Sequence, residues 1–220
     1  MIKTSGEVIK SGRLQRGRPK TKTDKERREH ILMIAYSTFM KVGYGATTID
    51  LIAREGKISK QTFYRTFADR TELFAEMISA HRREMLALPR DPEESLPPDV
   101  ALEKIFRVEL EEAGNFERHH FVHHILSAAR QYPEALVLLK QYGSDRAQEE
   151  LATWLSHSTQ RGVLHVVDPT HAAGVLMSMI FSPISNADFN LSNTSLAGRG
   201  KHIRQCIRVF LGGIGALNEK

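Results

Sequence analysis

The 220-residue chain has a single cysteine, Cys206. That excludes an internal disulfide framework and suits a reducing compartment. Eight prolines and fifteen glycines are too few for a collagenous or low-complexity chain. No run approaches the roughly 18 consecutive apolar residues that a membrane span requires. The N-terminal stretch has no apolar signal core, so a cytoplasmic protein is expected. Enzyme signatures are also missing. There is no G-x-S-x-G, no H-E-x-x-H and no phosphate-cradling glycine loop, and Cys206 lacks an evident base. A non-enzyme without a cofactor is expected. Short β-branched runs are absent except at 163–167, which Gly162 and Asp168-Pro169 bound as a connector.

What is present is an ordinary globular mix, 41% hydrophobic and 26% charged, with uneven charge. Residues 1–90 carry 19 Lys and Arg against 10 Asp and Glu, a net of +9. Residues 91–220 carry 12 against 16, a net of −4. A basic front half joined to a mildly acidic back half points to an anionic partner held by the front alone. Nucleic acid is the first candidate and an anionic membrane surface the second.

Residues 1–23 hold seven basic residues, one acid and no apolar period, and read as a flexible basic arm. Ile31, Ile34, Ala35, Phe39 and Val42 then fall at helical spacing, with Asp24 as N-cap and Gly43 as stop. Thr47 and Thr48 can cap a second helix carrying Ile49, Ile52 and Ala53, which Gly56-Lys57 breaks. Ser59 caps a third with Phe63 and Phe67. Asp69 or Thr71 opens a fourth, bearing Leu73, Phe74, Met77, Ile78 and Met85. A proline-rich acidic linker follows at 91–98. Helices are then predicted over 99–113, 116–131, 134–161, 169–182 and 199–216. The fold expected is all-α. A helix-turn-helix unit occupies 24–70, a helical effector and dimer domain occupies 71–220, and the helix over 71–88 connects them.

Two short helices joined by a tight turn and braced by a longer one describe a helix-turn-helix. The segment Ser59–Phe67 would be the recognition helix. Its outer face is Lys60, Gln61, Thr62, Tyr64 and Arg65, which can meet phosphates and base edges in a major groove. The stretch TTIDLIAREGKISKQTFYRTF over 47–67, followed by ADRTELF, resembles the tetracycline-repressor (TetR) family of bacterial transcriptional regulators. The resemblance implies that Thr48 touches a phosphate and that Lys60, Gln61 and Thr62 face the groove. It also implies that Tyr64 presses on the backbone and that Arg70 clamps another phosphate. The departure from the family pattern is Gly56-Lys57, where the turn glycine stands one place early. In the arm, Arg16-Gly17-Arg18-Pro19-Lys20 resembles the core of an AT-hook. Arg16 and Arg18 would then lie in a narrow A·T-rich minor groove. The alternative is a plain basic tail that adds counterion-release affinity.

The segment from Arg118 to Pro183 resembles the AefR-like branch of C-terminal domains. Pro133-Glu134, Arg161-Gly162-Val163-Leu164 and Asp168-Pro169 are its landmarks. The family implies a small-molecule effector and a homodimer. Phe121, His124, Ile125, Trp154, Met177 and Phe181 are the candidate pocket wall, with plain core as the alternative. Ala173, Ile180, Ile203, Ile207, Phe210, Leu211 and Ile214 are the candidate dimer interface, with intramolecular core as the alternative. His119, His120, His123 and His124 form two i, i+4 pairs that could hold a transition metal. The helical wheel puts them opposite Phe121 and Ile125, on a solvated or interdomain face, with Glu117 as the near carboxylate. Cys206, between Ile203 and Ile207, is expected to be packed.

The function expected is a DNA-binding repressor that a small molecule releases from a near-palindromic double-stranded operator. Alternatives are a constitutive architectural DNA binder and a histidine-based metal-sensing regulator.

Overall fold

The computed structural model describes residues 23–112, 117–185 and 198–216. It is all-helical, with no strand among the described residues. Helix α1 is Asp24–Ala46. Its cap is Thr23, one residue before the expected Asp24. The Thr23 hydroxyl accepts from the Glu26 amide while the Glu26 carboxylate accepts from the Thr23 amide at 2.7 Å, a reciprocal capping box. The helix also runs past its predicted stop. Gly43 kinks it at φ +78°, a left-handed conformation that costs glycine nothing, and the chain resumes a helical turn through Tyr44.

Helix α2 is Ile49–Glu55 and α3 is Lys60–Thr66. Of the two threonines expected to cap α2, only Thr48 does so, accepting from the Leu51 amide at 3.2 Å. Thr47 is fully buried and donates to the Gly43 carbonyl at 2.7 Å, which fixes the kink. The displaced turn glycine has a physical account. Gly56 is right-handed at φ −78°, and a Cβ there would lie 2.9 Å from the Ile34 side chain. The left-handed place in the turn falls to Lys57 at φ +49°, at a cost of roughly 1–2 kcal/mol. Ser59 caps α3 and Asp69 caps α4, Arg70–Met85.

The remaining helices are α5 Pro98–Ile105, α6 Val108–Glu112, α7 Glu117–Ala128, α8 Pro133–Leu139, α9 Asp145–Gln160, α10 Pro169–Ser185 and α11 Arg199–Ala216. The helix expected over 99–113 is broken by Arg107 at φ +50°. The one expected over 134–161 is a continuous path with a π-helical turn at Lys140–Ser144. Gly143 in that turn packs against Ile78 of α4. The connector at 163–167 buries Leu164 and Val166 and exposes Val163 and Val167.

Two apolar clusters hold these helices. The first joins Ile31, Phe39, Ile52, Phe63, Phe67, Leu73 and Phe74 of α1–α4 to Phe121 and Ile125 of α7 and Leu138 of α8. The second is built from α5, α6 and α9–α11 around Leu102, Ile105, Leu151, Leu155, Leu176 and Ile203. Helix α4 contributes Met85 to it, and also sends Arg82 to pair with Glu150 of α9 in the half-dry seam between them.

Candidate nucleic-acid interface

Helix α3 turns its apolar side inward through Phe63 and Phe67 and leaves Lys60, Gln61, Tyr64 and Arg65 exposed, with Thr62 half-buried. Tyr64 is 54% exposed. Its ring meets Phe63 edge-on with centroids 5.6 Å apart, which limits how it can swing. Ser59 and Thr62 share a hydroxyl hydrogen bond of 2.9 Å, so both are oriented at the head of the helix. Lys60 pairs with Asp50 of α2 at 2.6 Å, and that hydrogen bond raises the Lys60 pKa. Thr48 is exposed at the start of α2.

The tail of α3 is pinned by a residue that the sequence did not single out. Arg28 of α1 donates to the Thr66 carbonyl at 2.7 Å, to Glu76 at 2.6 Å and to Glu72 at 2.8 Å. Its guanidinium lies 4.3 Å from the Phe67 ring centroid. The Glu76 hydrogen bond is the largest cause of the raised Arg28 pKa. The Ala68 amide and then Arg28 hold Glu72 below the usual carboxylate range. Arg28 thus fixes the pitch of α3 against α1 and α4. Its partners lie 38 to 48 residues away, so no local signal marks it.

Arg70 does not stand where the resemblance places it. It donates to the Thr47 carbonyl at 2.9 Å and to the Tyr44 carbonyl, and stacks 4.2 Å over the Tyr44 ring. The guanidinium satisfies the carbonyls left free where α1 ends, so Arg70 acts as an internal clamp. Arg16 and Arg18 lie outside the described residues.

The candidate pocket wall does not come together. Phe121 and Ile125 belong to the first cluster, where Phe121 stacks on Tyr36 at 5.3 Å, and His124 lies 6.0 Å from the Phe39 ring. Trp154, Met177 and Phe181 belong to the second cluster. Two open clefts of about 420 and 450 Å³ lie elsewhere, beside Thr71 and Tyr142 and beside His165 and Leu211.

Most of the candidate dimer residues are already covered within the chain. Ala173, Ile180, Ile203, Ile207 and Phe210 are buried in the chain's own second cluster, and Leu211 and Ile214 pack on its margin. The apolar stripe of α11 faces α5, α6 and α10. Among the described residues, the exposed large apolar side chains of α10 and α11 are Val175 and Val209. Cys206 is buried, as expected.

The histidine face divides. His119 is fully buried, while His120, His123 and His124 are only partly covered. The reason is that α7 is covered on both sides, by α1 and α4 and by α10. The carboxylate that meets His119 is Glu111, at 2.9 and 3.0 Å. Among the described residues no three metal-ligating side chains converge. No helix of the described residues is long and apolar enough to cross a membrane.

Comparison with known proteins fits this arrangement. The family described as bacterial regulatory proteins, tetR family, matches residues 31–77, and the AefR-like transcriptional repressor C-terminal domain matches residues 115–213. The uncharacterized HTH-type transcriptional regulator YhgD of Bacillus subtilis (strain 168) is 38% identical over 60 residues, which are 27% of this chain and 31% of that protein. A protein of Mesorhizobium loti MAFF303099, described as a TetR-family transcriptional regulator, superposes with a TM-score of 0.66 at 22% identity. The superposition covers 88% of this chain and 98% of that one. The flavonoid-responsive regulator FrrA superposes with a TM-score of 0.58 at 22% identity over 86% and 97%. These two share the fold.

Proposed function

The chain belongs to the tetR family of bacterial regulatory proteins, and from that premise we propose that it is a homodimeric repressor that binds double-stranded DNA. The observation that carries this reading is the outer face of α3. It is a short helix pinned at its tail by Arg28, presenting Gln61, Tyr64 and Arg65 to solvent. Residues 24–70 form the DNA-reading unit. Arg16 and Arg18 of the arm reach an A·T-rich minor groove beside it. A twofold protein reads a near-palindrome whose half-sites lie about one helical turn, or a multiple of it, apart. Exposed Val175 and Val209 favour the outer faces of α10 and α11 as the contact between subunits.

A small molecule in the 71–220 domain releases the operator. The effector favours a conformation in which the two recognition helices are wrongly spaced, and DNA affinity falls in proportion to that preference. The name of FrrA, a flavonoid-responsive protein of the same fold, is in keeping with a small-molecule signal. The protein works by binding, not by catalysis, in the cytoplasm.

Selection from a random duplex pool, followed by fluorescence anisotropy on the winning site, tests the reading. Gln61→Ala and Tyr64→Ala should each weaken specific binding by roughly 1–3 kcal/mol while the far-ultraviolet spectrum stays helical. Selection that returns no palindrome, or unchanged affinity in the double variant, would remove α3 as the reading element.

A further inference from the structure

Glu111 of α6, Arg118 and His119 of α7 and Arg199 of α11 converge in the interior, each at least nine-tenths buried. Among the described residues one carboxylate serves the whole group. Glu111 accepts from Arg118, lies 2.9 and 3.0 Å from His119 Nε2, and stands 3.6 Å from Arg199 Nε, beyond hydrogen-bond reach. Arg199 also donates to the Ile180 carbonyl at 3.1 Å. Among the described residues, Nε and Nη1 of Arg118, Nε and Nη1 of Arg199 and Nδ1 of His119 have no hydrogen-bond partner.

Such a group is out of balance. Two guanidinium ions face one carboxylate, and buried charge is costly unless it is paired and bonded. Burial opposes ionisation of Glu111, but His119 and Arg118 outweigh it and hold the carboxyl below its usual range. Burial also pulls the Arg199 pKa down, against the pull of Glu111. Helix α11 begins here, with no acid in its first turn. The N-terminus of α11 therefore adds its positive end to the same place.

We infer that this cluster is the binding site for a small organic carboxylate, gripped by the free edges of Arg118 and Arg199. Among the described residues, two guanidiniums less one carboxylate leave a single positive charge, which suits a monoanion. The planar forks select a carboxylate over a spherical ion. The surroundings suit an organic body, because Ile180, whose carbonyl accepts from Arg199, belongs to the second apolar cluster. The site sits at a useful point, since α7 also presses Phe121 onto Tyr36 and Phe39 of α1. An anion that draws Arg118 and Arg199 together bears on the helix that braces the DNA-reading unit. The inference deepens the effector reading above and rests on it for the effect on the operator, but not for binding.

The test uses the full chain and four probes: benzoate, octanoate, neutral benzamide and inorganic sulfate. Calorimetry and thermal unfolding should show saturable binding of benzoate or octanoate and none of benzamide. Arg118→Gln and Arg199→Gln should each weaken the carboxylate about tenfold or more, as loss of a charged hydrogen bond predicts. Glu111→Gln, which removes the competing anion, should tighten it. This opposite sign keeps the test decisive if an arginine variant fails to fold. No carboxylate binding, binding unaltered by the variants, or sulfate binding as tightly would each overturn the inference. Anisotropy on the selected operator separates the two readings. Carboxylate that binds without moving operator affinity overturns the effector reading and leaves the site standing. Operator binding with no carboxylate site overturns this inference alone.

Discussion

Tyr132 stands directly over Gly45: any Cβ at position 45 would overlap the tyrosine hydroxyl and ring. Tyr132 leads into α8, and Gly45 lies in the last turn of α1, two residues before buried Thr47. The Tyr44 and Tyr132 rings also meet, 5.5 Å apart. The contact ties the α7–α8 corner to the turn between α1 and α2.

Gly45→Ala is therefore expected to destabilise by roughly 1–3 kcal/mol through overpacking, although alanine favours a helix over glycine by about 1 kcal/mol. Adding Tyr132→Ala should recover most of the loss. Chemical denaturation of the two single variants and the double one measures the coupling. A Gly45→Ala protein more stable than its parent would show that Tyr132 moves aside freely.

Arg70 separates a structural clamp from a phosphate ligand. Arg70→Met removes two hydrogen bonds to carbonyls and the stacking on Tyr44, so the melting temperature and operator affinity should both fall. The slope of log affinity against log salt should not change. A phosphate contact would reduce that slope by about 0.9 per site. A shallower slope in the variant would put Arg70 back on the DNA.

Adjacent residues on α11 should behave oppositely. Phe210 is buried in the chain's own core, and Phe210→Ala should cost about 3–5 kcal/mol of stability. Val209 is 53% exposed, and Val209→Glu should leave the unfolding transition nearly in place while separating the dimer. Sedimentation velocity decides. A Val209→Glu protein that still runs as a dimer moves the interface away from this face.

Acid should unfold the protein through His81. The imidazole is buried and its pKa is pushed down to about 3, by burial first and then by His119 and Arg118. Its nearest carboxylate is Glu84, 3.8 Å from Nδ1 on the same helix. The ordinary value is 6.5, so the unfolded chain binds the proton first. Stability is complete above pH 6.5 and falls below it, by about 1.4 kcal/mol per pH unit, or about 2 kcal/mol by pH 5. Buried His119 shifts in the same direction. His81→Phe, which keeps a ring against Phe121, should flatten the decline in urea midpoint between pH 7 and 5. An equal decline in variant and parent would clear His81 of the role.

Much of this protein is written in short stretches of chain. The caps at Thr48, Ser59 and Asp69, the breaker at Gly56 and the inward Phe63 and Phe67 act within one or two helical turns, and those distances are visible in sequence. The all-helical class and the outward Tyr64 follow from the same local physics. What only the tertiary structure decided is which surface covers which. An apolar stripe says that α11 is buried against something, but the choice between its own core and a second subunit depends on how many helices already crowd it. Ile207 and Phe210 went inward for that reason. A wheel likewise shows His119 opposite Phe121, but not that α7 is covered on both sides, nor that Glu111 arrives from the preceding helix. Arg28 and Arg70 are the same case. An arginine's role is set by whichever carboxylate or carbonyl lies within about 3 Å, and here those partners come from 23 to 48 residues along the chain.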